Sequence, residues 1–204
     1  MRAFATLALS LVSAPAYADA VAERVVAIVQ QACVAPSTPE AQMVAAEQMA
    51  SSGAWKGDPK LSGRQRGVVA NPDDLKRPEM YEVRDWNFEE PLFSGRFRIA
   101  VVRPEWSGWR QNGCSVYAQA VSVGDVVSAA RIQLGLGEPQ PSAAFGQVWV
   151  VSGDVSKPHE VTRMVSAQRQ QLRSGETTIF GVYEFQVPAS GAVPAPVETS
   201  KSSE

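Results

Sequence analysis

The sequence predicts an α+β fold: an N-terminal helical hairpin, then an antiparallel sheet with one inserted helix, in the order β-β-α-β-β-β. Three observations predict it. Apolar residues recur at helical spacing between Asp19 and Cys33. From Arg96 onward they alternate with polar residues at the two-residue period of a half-buried strand. Successive strands lack the crossover helices that parallel pairing requires, which leaves an antiparallel sheet with helices on one side.

In the first helix Val21, Val25, Ile28, Val29 and Ala32 share a face, and Pro36 lies beyond its end. The second helix is announced by Thr38 with Pro39 at the first helical position, and Glu40 stands three residues after Ser37. It runs through Met43, Ala46 and Met49 and is expected to stop at Gly53. Between Gly53 and Gly95 no period is sustained, and glycines and prolines punctuate the chain. Short strands are expected there at Val68-Val69 and from Met80 to Trp86. Residues Arg96 to Val102 then place Phe97, Ile99 and Val101 on one strand face and Arg96 and Arg98 on the other. A second strand alternates from Cys114 to Ala120. Ser122 with Asp125 forms a capping box that opens a helix carrying Val126, Val127, Ala130 and Leu134 and ending at Gly135. Three strands follow, Phe145 to Val151, Glu160 to Ala167 and Thr177 to Val187, with Ser174-Gly175 as the turn between the last two. The sequence contains no internal repeat.

The two ends have other roles. Arg2, the apolar run Ala3 to Val12, the helix breaker Pro15 and the small-x-small triplet Ala16-Tyr17-Ala18 form a three-part secretory signal, with cleavage expected after Ala18. Ten apolar residues are too few to span a bilayer, which takes about 20. From Pro188 onward the chain is rich in Pro and Ser and has no aromatic residue, the composition of a disordered tail. The organisation expected is therefore a signal peptide at 1–18, one domain at 19–187 and a tail at 188–204, in the periplasm or secreted, with no transmembrane segment.

The 204 residues carry 19 Lys+Arg against 21 Asp+Glu, a net charge of −2, and removal of the signal with its single Arg2 leaves 18 against 21, a net of −3. That balance excludes nucleic acid as a partner, because nucleic-acid binding needs a concentrated basic surface. Export places Cys33 and Cys114 in an oxidising compartment, and two cysteines allow only one intramolecular pairing, so a structural disulfide is expected. Neither a Cys-x-x-Cys pair nor a zinc ligand set is present, the only histidine being His159. The chain has no dinucleotide fingerprint, P-loop or nucleophile elbow, and no cofactor, metal site or catalytic residue is assigned.

Two connections stand out. Pro104 to Gly113 holds Trp106 and Trp109 three apart beside Arg110, residue types enriched at binding hot spots. The plainer account is that both indoles fold back over the end of the sheet as satellite core, and Trp55, Trp86 and Trp149 are expected to be core or core-rim residues. Arg96 and Arg98, with Arg163 near them, would make an anion site or simply the solvated face of a sheet. The second connection carries Lys157-Pro158-His159 after Gly153-Asp154. It resembles the Lys-Pro-His loop with which periplasmic inhibitors of vertebrate-type lysozyme enter the lysozyme cleft. Ser156 and Glu160 stand where that family has bracing cysteines, and an exposed hairpin turn accounts for the segment without the resemblance.

A cysteine ending the first helix (Cys33), Gly53-Ala-Trp55 after the second and a second cysteine in a strand (Cys114) resemble the layout of small exported proteobacterial proteins of unknown function. The resemblance implies a bacterial periplasmic setting and no particular activity. The functional expectation is a non-catalytic binding protein whose partner is another periplasmic protein or a cell-wall saccharide. The alternatives are an inhibitor of a cell-wall hydrolase of the lysozyme type and a hydrolase without a recognisable motif.

Overall fold

Helix α1 (Ala14–Val29) begins upstream of the expected cleavage point, but the residues it buries start at Val21. Val21, Val25, Ile28, Val29 and Ala32 are all fully buried, as their spacing predicts. The helix ends in a wider π turn, Gln30–Val34, that buries Ala32 and Cys33. Helix α2 (Pro39–Ser51) starts where Thr38 caps it, with Thr38 Oγ1 accepting from the Ala41 amide at 3.2 Å. The computed structural model describes residues 14–51, 60–68, 80–89, 94–102, 110–154, 157, 160–172 and 175–186. The expected cap Gly53, with Trp55, Trp106, Trp109, Pro158 and His159, lies outside the described residues, as do the expected signal up to Ser13, the last expected strand residue Val187 and the expected tail from Pro188.

The segment expected to hold two short strands contains two long ones, β1 (Lys60–Val68) and β2 (Met80–Glu89). The reason is positional. β1 pairs only with β2 and forms an edge, where a strand carries charge and glycine in place of an apolar stripe. β3 (Ser94–Val102) and β4 (Arg110–Ala118) follow, so Arg110 opens a strand and does not sit in the preceding connection as expected. Helix α3 (Val123–Gln133) has the predicted Ser122–Asp125 capping box, and Gly135, at φ +64°, follows its last turn. Then come the short β5 (Gln140–Ser142), which the sequence did not announce, β6 (Gly146–Ser152), β7 (Val161–Leu172) and β8 (Gly175–Gln186).

These strands form one antiparallel sheet in the order β1-β2-β3-β4-β8-β7-β6-β5. The order discloses a duplication of topology that no sequence repeat reveals. Each half is a helical segment followed by a four-stranded meander, and the halves join through their last strands, β4 and β8. One face of the sheet packs under the helices through Trp86, Phe97, Ile99, Cys114, Val116, Trp149, Val165, Phe180 and Val182. Both tryptophans are core residues here, Trp86 lying 5.9 Å from the Phe97 ring and Trp149 donating from Nε1 to the Gly137 carbonyl at 2.8 Å. Cys33 and Cys114 are joined, with Cα atoms 5.4 Å apart, so the predicted disulfide links the helical layer to the middle of the sheet.

The far face is buried in part although no described helix covers it: Ser115, Met164, Ser166 and Ile179 are each no more than 3% exposed. Gly181 sits so close to β4 that a Cβ there would lie 2.4 Å from the Cys114 carbonyl oxygen. A glycine at such a crossing lets strands approach and the sheet bend. Phe145, in the β5–β6 turn, packs over the same face against Phe185 and Tyr183, at 5.9 and 6.1 Å between ring centres.

Candidate functional site

The strand order sorts the connections between the two ends of the sheet. One end carries the connections 90–93, 143–145 and 173–174, each four residues or fewer. The other carries 69–79, 103–109 and 153–160, of 11, 7 and 8 residues. β8 is central to that second end. Its last residue, Gln186, pairs with Arg110 on one side and Val161 on the other. The connection with Trp106 and Trp109 and the one with Lys157, Pro158 and His159 therefore enter the sheet either side of Gln186, about 10 Å apart at two strand spacings. The strand ends that border the two singled-out segments, Arg110 and Val161, thus lie at one end of the sheet, a juxtaposition that their separation in sequence conceals.

Local geometry shapes the second of these segments. Gly153 has φ +81°, and a Cβ on it would meet the Val161 carbonyl oxygen at 2.4 Å, so only glycine fits where β6 leaves the sheet. The Lys157 amide donates to the Asp154 carbonyl at 3.1 Å. Lys157 Nζ lies 3.7 Å from both Asp154 Oδ2 and Glu160 Oε2, exposed ion pairs that contribute only weakly.

Behind the loops the helical layer is anchored. Arg163 Nη2 donates to the carbonyls of Cys33 and Val34 at 3.2 and 3.1 Å, and its Nε lies 3.6 Å from Glu184 Oε1. Gln42 Nε2 donates to the same Cys33 carbonyl at 3.0 Å. A cation at carbonyls left over by a helix C-terminus is favourable electrostatically as well as by hydrogen bonding. Arg163 is thus on the helical face. Arg96 and Arg98 are on the far face, their guanidinium carbons 4.3 and 5.3 Å from the centre of the Tyr117 ring. The three arginines do not form one anion site, because register places Arg163 opposite Glu184 and Arg96 opposite Tyr117.

Sequence reasoning missed the far-face cluster. Tyr183 stands among Ser115, Gln168 and Ser166, and burial, reinforced by the neighbouring Tyr117 phenol, pushes its own phenol above the ordinary tyrosine range. Alternation placed Tyr117 away from the core face, but nothing local signals that Tyr183, 66 positions later, meets it. Among the described residues no group of three His, Cys, Asp or Glu is placed to hold a metal, and no helix is long and apolar enough to cross a membrane. No protein-family model matches the chain, and no curated protein or solved structure matches it significantly.

Proposed function

We propose that this chain is an exported, non-catalytic binding protein that engages its partner through the long-connection end of the sheet. One observation carries the reading: Gln186 is flanked by Arg110 and Val161, so the Trp106/Trp109 and Lys157–His159 connections open side by side. Long connections on a rigid scaffold are where binding residues concentrate. Two indoles beside Arg110 are suited to a protein partner or to stacking on a saccharide. The signal pattern at 1–18 supports export to the periplasm or medium, and cleavage after Ala18 would spare every core residue of α1 from Val21 onward. The Cys33–Cys114 disulfide fits that compartment.

Cross-linking in the periplasm, followed by affinity capture, tests the reading by comparing wild type with a Trp106→Ala/Trp109→Ala variant. A partner or cell-wall fragment captured by wild type and lost from the variant is expected. Identical capture by both ends the reading. Because the Lys157-Pro158-His159 segment opens at the same end, an assay for lysozyme inhibition belongs beside it. Inhibition abolished by His159→Ala would name the partner class as a cell-wall hydrolase.

A further inference from the structure

We propose that the Cys33–Cys114 bond is a redox latch worked from its helical side. Cys33 exchanges with an external thiol or disulfide through the 30–34 turn, and Cys114 is the resolving sulfur. The two cysteines are equally buried, at 0% exposure each, yet their settings differ. Cys114 lies in β4, the fourth of eight strands, with Ile99 of β3 and Val182 of β8 as its register partners. An attacking group reaches it only after central strands part or the helices lift from the core they share with it. Cys33 belongs to no strand ladder. It sits in the five-residue π turn after α1, where the Ala35 amide donates to the Gln30 carbonyl at 2.9 Å. Single π turns interrupt helices frequently at functional positions.

Side chains from elsewhere in the fold hold this turn. Arg163 Nη2 donates to the carbonyls of Cys33 and Val34, and Gln42 Nε2 to that of Cys33, at 3.0 to 3.2 Å. Beyond the turn the exposed residues Ala35, Ser37 and Thr38 lead into α2. Opening the turn breaks a few hydrogen bonds, whereas freeing Cys114 breaks the sheet. Local openings of the first kind cost far less than global unfolding and are populated far more often.

The chemistry is two successive thiol–disulfide exchanges. In the reduced chain the Cys33 thiolate attacks a small disulfide such as oxidised glutathione, which forms a mixed disulfide and releases one thiol. The Cys114 thiolate then attacks the Cys33 sulfur and expels the second thiol. Two electrons pass from the protein to the external disulfide, and the two cysteine protons end on the two released thiols. Reduction runs the same steps backwards, with an external thiolate attacking Cys33 and Cys114 departing. The helical layer is thereby locked after the sheet has formed and unlocked without unfolding it. Arg163 is a positioning residue in this scheme, acting on the turn through the Cys33 and Val34 carbonyls.

Reduction of the native chain by dithiothreitol, followed by mass spectrometry at urea concentrations below the unfolding transition, tests this. A local latch gives a rate nearly independent of urea, because its opening exposes little surface. Reduction through global unfolding would instead rise with the full equilibrium slope. Pulsed alkylation of the reduced native chain should label Cys33 before Cys114. Arg163→Met should speed reduction roughly 30-fold with the rate still flat in urea, the effect of losing hydrogen bonds from a charged donor. Gly175→Ala, a strained change beside the 173–174 connection, should leave the low-urea rate unchanged. A rate that climbs with urea from the start, or Cys114 labelled as fast as Cys33, would overturn the proposal. So would an Arg163→Met rate equal to wild type, or a Gly175→Ala chain reduced as fast as Arg163→Met.

Discussion

At one end of the sheet the strands are joined by turns of two to four residues, and at the other by connections of 7 to 11. Neither end departs from the same antiparallel pairing, so the difference is not one of scaffold. The short turns do the minimum that chain reversal demands. The long connections do more than reversal requires, and loop length beyond that need is characteristic of recognition segments. The anchoring follows the same division. Arg163 and Gln42 hold the C-terminal end of the first helical segment beneath the long connections, with the disulfide from Cys33 beside them. These ties, from Arg163 near the start of β7 to Cys114 at mid-sheet, make the helical layer a fixed floor for the proposed binding end.

The largest expected effect tests that floor. Replacing both Cys33 and Cys114 by Ala, which opens a closure across 81 positions, should cost about 4 kcal/mol in denaturant unfolding. A loss under about 1 kcal/mol would show that the helical layer is held by packing alone. Next is the joint between the two halves. Gly181→Ala forces a Cβ against the Cys114 carbonyl and should cost about 3 kcal/mol or prevent folding, whereas Gly175→Ala, with nothing within 4 Å, strains only its own backbone and should cost about 1 kcal/mol. Thermal unfolding of the two variants ranks them.

Binding separates the ends most directly. Trp106→Ala/Trp109→Ala should weaken partner affinity about 30-fold, the effect of a 2 kcal/mol hot spot, while leaving the unfolding midpoint in place. Glu176→Ala, near the two-residue connection 173–174 and paired with Arg169, should leave affinity unaltered in the same titration. The reverse pattern would move the site to the other end. The last two variants concern charges, and the smaller effect belongs to the exposed one. Arg163→Met takes its cation from Glu184 and the Arg163 donor from the Val34 carbonyl, while the Cys33 carbonyl keeps Gln42, and should cost about 2 kcal/mol. Lys157→Met, which removes an exposed pair of contacts, should cost no more than about 0.5 kcal/mol. Equal losses in chemical denaturation would break the distinction drawn between anchor and loop.

Residues with strong local signals were legible in advance. The buried stripe of α1, the capping box of α3 and the alternation of β3 each state their structure within a dozen residues, because side-chain periodicity and capping chemistry act over one or two turns. β1 was illegible for a physical reason. The charges and glycines that guard an edge strand also erase the apolar alternation by which a strand is read. The far-face cluster of Tyr117, Tyr183, Ser115 and Ser166 was equally hidden, since it depends on which strands become neighbours.

By itself, then, the sequence determined the α+β class, the helices and their caps, and the partners of the only possible disulfide. Local periodicity and cysteine count suffice for those. Tertiary structure alone decided that two segments some 50 positions apart open beside Gln186, and that Arg163 faces the helices while Arg96 and Arg98 face away. Each of these follows from strand order and register, which are set by the packing of the whole sheet and leave no local mark on the chain.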